Sequence, residues 1–184
     1  MLDLKAINKS WTLFLDRDGV LNREKKDDYI YNKDEFEFYE DALAALRVLA
    51  GMFNTIVLVT NQRGIGKGLM TTDDLHLLHD YMMEHIVAAG GRIDKIYYCP
   101  ELDNSAPSRK PNPGMAYQAK EEHPHINFEE SIIVGNKLSD MQFGRNAGMH
   151  TVYIASTNPE VPYPHPLIDL RFDSLYAFAA AVVA

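Results

Sequence analysis

Short apolar runs alternate along this chain with longer stretches in which apolar residues recur every three or four positions. Residues 11–15 (Trp-Thr-Leu-Phe-Leu) have the pattern of a strand buried on both faces. Thr55-Ile56-Val57-Leu58-Val59, Ile93 to Tyr98, Ser131-Ile132-Ile133-Val134-Gly135 and His150 to Ile154 repeat it, and a last short strand falls near Leu170–Phe172. Between them lie helical patterns. Tyr39 to Gly51 carries Leu43, Leu46, Leu49 and Ala50 on one face. A cap at Thr71 or Thr72, with acids in the first turn, opens a helix striped by Leu75, Leu78, Met82 and Ile86 and closed at Gly90-Gly91. Asn112 as N-cap with Pro113 at the first helical position predicts a helix to about Glu122. Two more run from about Leu138 to Ala147, before Gly148, and onward from Ser174. Residues 23–38 are polar and aromatic without a period, a loop or flap, and 156–168 are proline-rich and irregular.

Strands alternating with helices predict right-handed crossovers and a parallel sheet covered on both faces, a three-layer Rossmann-like α/β fold. Residues 1–184 are expected to form one domain, since neither repeat nor linker is visible. The stretch between Asn22 and Tyr39 is too short for a helical cap, and so is Cys99 to Pro111. In such sheets ligands bind beyond the carboxyl ends of the strands. The first strand ends abruptly in Asp16-Arg17-Asp18-Gly19. Paired acids there repel one another unless a cation or hydrogen-bond donors sit between them. An Asp/Gly turn is ordinary by itself. Thr60-Asn61 and Asn136-Lys137, with Asp140, end two further strands, and Arg109-Lys110 lies in a loop. Their convergence on one crevice would be a site.

Composition narrows the classes. The 184 residues are 46% hydrophobic and 24% charged, ordinary for a globular domain. A net charge of −8 argues against a general nucleic-acid binder, while leaving room for a phosphorylated substrate held by a few local cations. The lone cysteine, Cys99, permits no intrachain disulfide and no cysteine-rich zinc site. The start has no basic-then-apolar leader, and the longest apolar run, Ala177 to Ala184, is too short to span a bilayer. A cytoplasmic protein, monomeric or weakly self-associating, with no membrane partner, is expected. His76, His79 and His85 lie on or beside an apolar helix stripe without acidic or thiol company. Gly64 to Gly68 lacks the Gly-Lys-Ser/Thr of a Walker loop.

Four segments carry a resemblance. Asp-Arg-Asp-Gly-Val-Leu-Asn at 16–22, Val-Thr-Asn-Gln at 59–62, Arg-Lys-Pro-Asn-Pro-Gly-Met at 109–115 and Val-Gly-Asn-Lys-Leu-Ser-Asp-Met at 134–141 resemble haloacid dehalogenase-type phosphatases. Phe36-Glu37-Phe38, Gly64-Ile65-Gly66-Lys67-Gly68 and Tyr97-Tyr98-Cys99-Pro100 bring the likeness nearer to the heptose-bisphosphate and histidinol-phosphate phosphatase subgroup. The resemblance covers about residues 10–155. It implies that Asp16 is the nucleophile and Asp18 the acid and base. It further implies that Thr60 and Lys110 stabilise the phosphoryl group, and that Asn61, Gln62, Arg63, Arg109 and Lys137 contact substrate. It implies Mg²⁺ bound by Asp16, the backbone carbonyl of Asp18, Asn136 and, directly or through water, Asp140.

Two departures stand out. The family usually has an aspartate where this chain has Asn136, an uncharged oxygen that should hold Mg²⁺ less tightly. A working enzyme with a weaker metal site, a non-catalytic relative that still binds a phosphate ligand, and an engineered inactive form all fit that residue; the first is the reading adopted. Many relatives also hold zinc in the loop after the third strand. Here Ala106 and Ser108 stand at cysteine positions, so no structural zinc is expected. The implied activity is Mg²⁺-dependent hydrolysis of a small phosphoester, foremost a heptose bisphosphate, with histidinol phosphate as the alternative.

Overall fold

The computed structural model describes residues 2–184. Six strands form one parallel sheet: β1 (Thr12–Leu15), β2 (Thr55–Asn61), β3 (Lys95–Cys99), β4 (Ser131–Gly135), β5 (His150–Ile154) and β6 (Leu170–Phe172). Their order is β3-β2-β1-β4-β5-β6, so β1 is central and the chain reverses direction of growth on either side of it. That reversal opens a crevice at the carboxyl ends of β1, β2 and β4.

The strand pattern sorts side chains by parity, since successive residues face opposite sides of a sheet. Leu13, Leu15, Ile56, Leu58, Ile132 and Val134 enter one core, which is covered by α1 (Ala42–Met52), α3 (Thr72–Ala88) and α6 (Leu175–Val182). Phe14, Val57, Val59 and Ile133 enter the other, beneath α4 (Gly114–Glu122) and α5 (Leu138–Ala147). Among the described residues no helix is long and apolar enough to cross a membrane.

Local signals explain most element ends. Thr71 and Asp74 close a reciprocal capping box on α3, and Gly148 takes φ +88° where α5 stops. Two expectations are corrected. The loop 64–68 begins as a short helix, α2 (Arg63–Gly66). Asn112 does not cap α4; the helix starts at Gly114 behind Pro113, without a side-chain cap. The Asn112 amide instead donates to the carbonyls of Asn104 and Ala106, at 3.0 and 2.9 Å, and so ties down the loop before it. A local turn that offers two carbonyls to the amide outcompetes the cap.

Two glycines of ordinary backbone φ test the packing in opposite directions. A Cβ at Gly144 would lie 2.3 Å from Ile133 Cγ2 and 3.0 Å from Thr151 Cγ2, whereas one at Gly51 would meet nothing within 4 Å. Gly144→Ala should therefore cost about 1–3 kcal/mol, and Gly51→Ala should add up to about 1 kcal/mol, in urea unfolding. Equal effects of the two substitutions would contradict this packing of α5 on the sheet.

Candidate active site

Register alone places the first acid. Leu15 pairs with Leu58 of β2 and Val134 of β4, so the next residue, Asp16, comes level with Val59 and Gly135. Thr60 and Asn136 then stand one step further on either side. The Asp16 N–H donates to Val134 O at 2.9 Å, keeping the loop in line with the strand it leaves. Gly19, at φ +85°, turns that loop back over Asn136, whose side chain would lie 2.0 Å from any Cβ there. Only glycine fits both demands.

Lys110 reaches the same point from the loop before α4. Its Nζ lies 2.9 Å from Asp16 Oδ1 and 2.7 Å from Asp140 Oδ1, and donates to Val59 O at 2.8 Å. All three donors of the ammonium are thus engaged, with the lysine side chain only 2% exposed. Burial would push its pKa down, but the two carboxylates more than offset that and raise it, so it stays charged. Burial pushes Asp16 the other way, up to about 6 despite Lys110, with the Asp140 charge adding to the rise.

Asp18 has a different environment. Arg17 Nη2 donates to both its oxygens, at 3.1 and 3.0 Å, and Asn22 Nδ2 and Gln62 Nε2 add bonds of 2.9 and 3.1 Å. Burial opposes the charge, yet Arg17 and these donors hold the carboxyl below its usual range. The Arg17 side chain has no exposure, and its Nη1 lies 3.1 Å from His79 Nε2. Burial and the Arg17 charge push His79 down to about 3. The ring is neutral, and Nε2 accepts from the guanidinium.

The crevice above these groups is a cavity of about 1220 Å³. Lys25, Lys26, Arg63, Lys67, Arg109, Lys110 and Lys137 line it, seven of the 18 Lys and Arg side chains of an otherwise acidic chain. Asp16, Asp18, Glu24, Asp27, Asp28 and Asp140 line it too, so the crevice is near neutral in a chain of net charge −8, with cations at hand for an anionic ligand.

Asp16, Asp18, Thr60, Lys110 and Asp140 are brought together around one point. Asn61 and Gln62, expected to contact substrate, line the cavity, and their amides also bond the protein. Asn61 exchanges two 3.1 Å bonds with the Lys110 backbone, while Gln62 Nε2 donates to Thr60 Oγ1 as well as Asp18. Buried amides need partners, and the neighbouring loop ends supply them. Arg63 donates to Leu102 O at 3.1 Å, and Arg109 to Asn104 Oδ1 at 3.0 Å and Glu101 O at 3.1 Å; both line the cavity while bracing its far wall. Asp140, expected near a metal, gives Oδ1 to Lys110 and Oδ2 to the Lys137 N–H, so it clasps the lysine. Asn136 is fully buried; its Nδ2 donates to Thr157 Oγ1 at 2.6 Å, and its Oδ1 has no partner. Sequence reasoning missed the roles of Arg17 and His79. For His79 a signal existed, because it stands one helical turn after Leu75 and one residue after Leu78, on the buried stripe.

Comparisons agree with this geometry. A family model described as HAD-hydrolase-like matches residues 107–161. The D-glycero-alpha-D-manno-heptose-1,7-bisphosphate 7-phosphatase of Mycobacterium tuberculosis is 37% identical over 173 residues, covering 94% of this chain and 91% of that protein. The D-glycero-beta-D-manno-heptose-1,7-bisphosphate 7-phosphatase of Helicobacter pylori is 34% identical over 167 residues, 90% of this chain and 94% of its own. Among solved structures, the D,D-heptose 1,7-bisphosphate phosphatase of B. bronchiseptica, complexed with magnesium and phosphate, superposes with a TM-score of 0.85 at 27% identity, covering 94% of this chain and 98% of that one.

The raised pKa of Asp16 has a sign for stability. Between pH 4 and 6 the folded state keeps a proton that the unfolded state has lost, so stability falls as pH rises through that window. Without metal, Asp16→Asn should be more stable than the parent at pH 7.5 by about 3 kcal/mol, a gain that vanishes near pH 4. Urea titrations in chelator at the two pH values check this, and a variant less stable at pH 7.5 would contradict it.

Proposed function

The chain belongs to the heptose-1,7-bisphosphate phosphatases among the HAD-like hydrolases, and on that footing we propose that it removes the 7-phosphate of a D-glycero-D-manno-heptose 1,7-bisphosphate through a phosphorylated Asp16. It is a phosphoric monoester hydrolase. What carries the assignment of roles is one contrast: Asp16 is bonded to Lys110 on the cavity floor, while Asp18, two residues on, is held by a separate set of donors. Two carboxylates in unlike surroundings can take unlike parts.

Asp16 Oδ attacks phosphorus, the bond to the sugar oxygen breaks, and that oxygen takes a proton from Asp18. Water then attacks the phosphorylated aspartate, giving its proton to Asp18 and releasing inorganic phosphate with Asp16 restored. The bonds from Arg17, Asn22 and Gln62 favour the Asp18 carboxylate, which suits the second half; for the first, the side chain must turn out of that network with a proton. Thr60 Oγ1 already accepts from Gln62, so its own hydrogen is left for a phosphoryl oxygen. Lys110 stays charged and offsets the negative charge gathering there. Arg63, Arg109, Lys67 and the lysines at 25 and 26 face the cavity, where the second phosphate of a bisphosphate would sit.

The donor set fits Mg²⁺. It consists of oxygens, as a hard cation requires, and includes the buried, unpartnered Asn136 Oδ1. Asp16, the Asp18 carbonyl and Asn136 would hold the ion, which when bound neutralises phosphate charge. Residues 99–112, read as free of zinc, are held by Ser108 Oγ donating to Cys99 Sγ at 3.2 Å and by the Asn112 and Arg109 bonds.

Phosphate release from both anomers of the heptose bisphosphate, and from histidinol phosphate, tests the proposal. Hydrolysis should favour a heptose bisphosphate and stop with chelator or with Asp16→Asn, while Asp18→Asn should cost about 10²–10⁴ in kcat. Tight binding of the bisphosphate without turnover, in magnesium, would replace this reading with that of a silent binding protein.

A further inference from the structure

The metal site proposed above lacks a charge. Asn136 occupies the position where a carboxylate would be expected, and it brings a neutral oxygen. Its amide is fully buried, with Oδ1 unpartnered, and its Nδ2 end points at two groups, Thr157 Oγ1 at 2.6 Å and Glu24 Oε1 at 3.4 Å. Glu24 belongs to the loop that follows β1, eight residues beyond Asp16, and lines the same cavity. Its side chain is 18% exposed, and its other oxygen, Oε2, lies 2.8 Å from Lys137 Nζ.

Of the other acids lining the cavity, Asp27 makes no contact with Asn136, and the rest are already committed. Asp140 gives one oxygen to Lys110 and the other to a backbone N–H. Asp18 has both oxygens bonded by Arg17, with Asn22 and Gln62 adding to them. Asp28 is bonded to Tyr31 at the rim, near Lys25. Glu24 alone combines contact with Asn136 and a single ion pair to a half-exposed lysine, which costs little to exchange. Lys137 is also influenced by the charges of Asp16 and Asp140, so Glu24 and Asp16 act on one ammonium.

We propose that Glu24 supplies the negatively charged oxygen that Asn136 lacks, and completes the Mg²⁺ site with Asp16, the Asp18 carbonyl and the Asn136 amide. This restores two carboxylates to the ion, the number that Asp16 and an aspartate at 136 would give. It rests on the reading of a Mg²⁺ site at Asp16, and extends it to a residue outside the four resembling segments.

Calorimetric titration of Mg²⁺ into the full chain without substrate tests it, in parent, Glu24→Gln, Asn136→Asp, the double variant and Asp16→Asn. Glu24→Gln should weaken Mg²⁺ at least tenfold, with its metal-free melting temperature within about two degrees of the parent. Asn136→Asp should tighten it at least tenfold, and in that background Glu24→Gln should cost less than threefold. That non-additivity separates ligation from a distant charge, whose effect would be the same in both backgrounds. Glu24→Gln within twofold of the parent, or an equal loss in both backgrounds, overturns the role of Glu24. If Asp16→Asn abolishes binding in the same series, the Mg²⁺ site itself stands; a parent that binds no Mg²⁺ removes both.

Discussion

One buried ammonium holds this site together. Lys110 bonds a carboxylate at the end of β1, a carboxylate on the first turn of α5 and a carbonyl near the end of β2. Each of those segments brings a group that would be costly to bury alone. Two carboxylates out of water repel each other, and an isolated lysine would lose its proton. Together they neutralise most of that cost, so the convergence of three elements is an electrostatic requirement of the fold. Asn61 enforces it from behind, because its amide grips the Lys110 backbone in both directions.

Asp18 is the counterpart. Its partner is a guanidinium with no exposure to water, braced by a neutral histidine from α3 and lying 5.9 Å from the Phe36 ring centre. Two acids separated by one residue therefore titrate in opposite directions, Asp16 upward to about 6 and Asp18 downward. Arg17, whose side chain never reaches the cavity surface, is what divides them.

The sheet was legible because its four inner strands are buried on both faces, and six short runs punctuated by polar ends leave few alternative arrangements. The positions of Asp16, Thr60 and Lys110 followed from strand ends and resemblance. What could not be read was the use of each polar side chain. Asn61 and Gln62 line the cavity as expected of ligand contacts, but only the meeting of two loop ends shows that their amides also bond Lys110, Asp18 and Thr60. His79 was set aside for want of acidic or thiol company, while its actual partner, Arg17, lies 62 residues away in sequence. Glu24 sits in a stretch without period, where sequence gives no orientation at all. Asn112 carried a valid cap signal and lost to carbonyls in the preceding loop.

The turn after β5 is stitched to the heart of the protein by side chains of three consecutive residues. Ser156 donates to Gly19 O, Thr157 accepts from Asn136, and Asn158 donates to Asn136 O at 3.0 Å, while Tyr153 holds the turn from beneath by donating to Asn158 O. Beyond Asn158, Val161, Leu167 and Ile168 pack on Met141 and Tyr153, and Thr151 Oγ1 donates to Leu167 O at 2.7 Å. A single residue added before Asn158 would slip all three stitches at once.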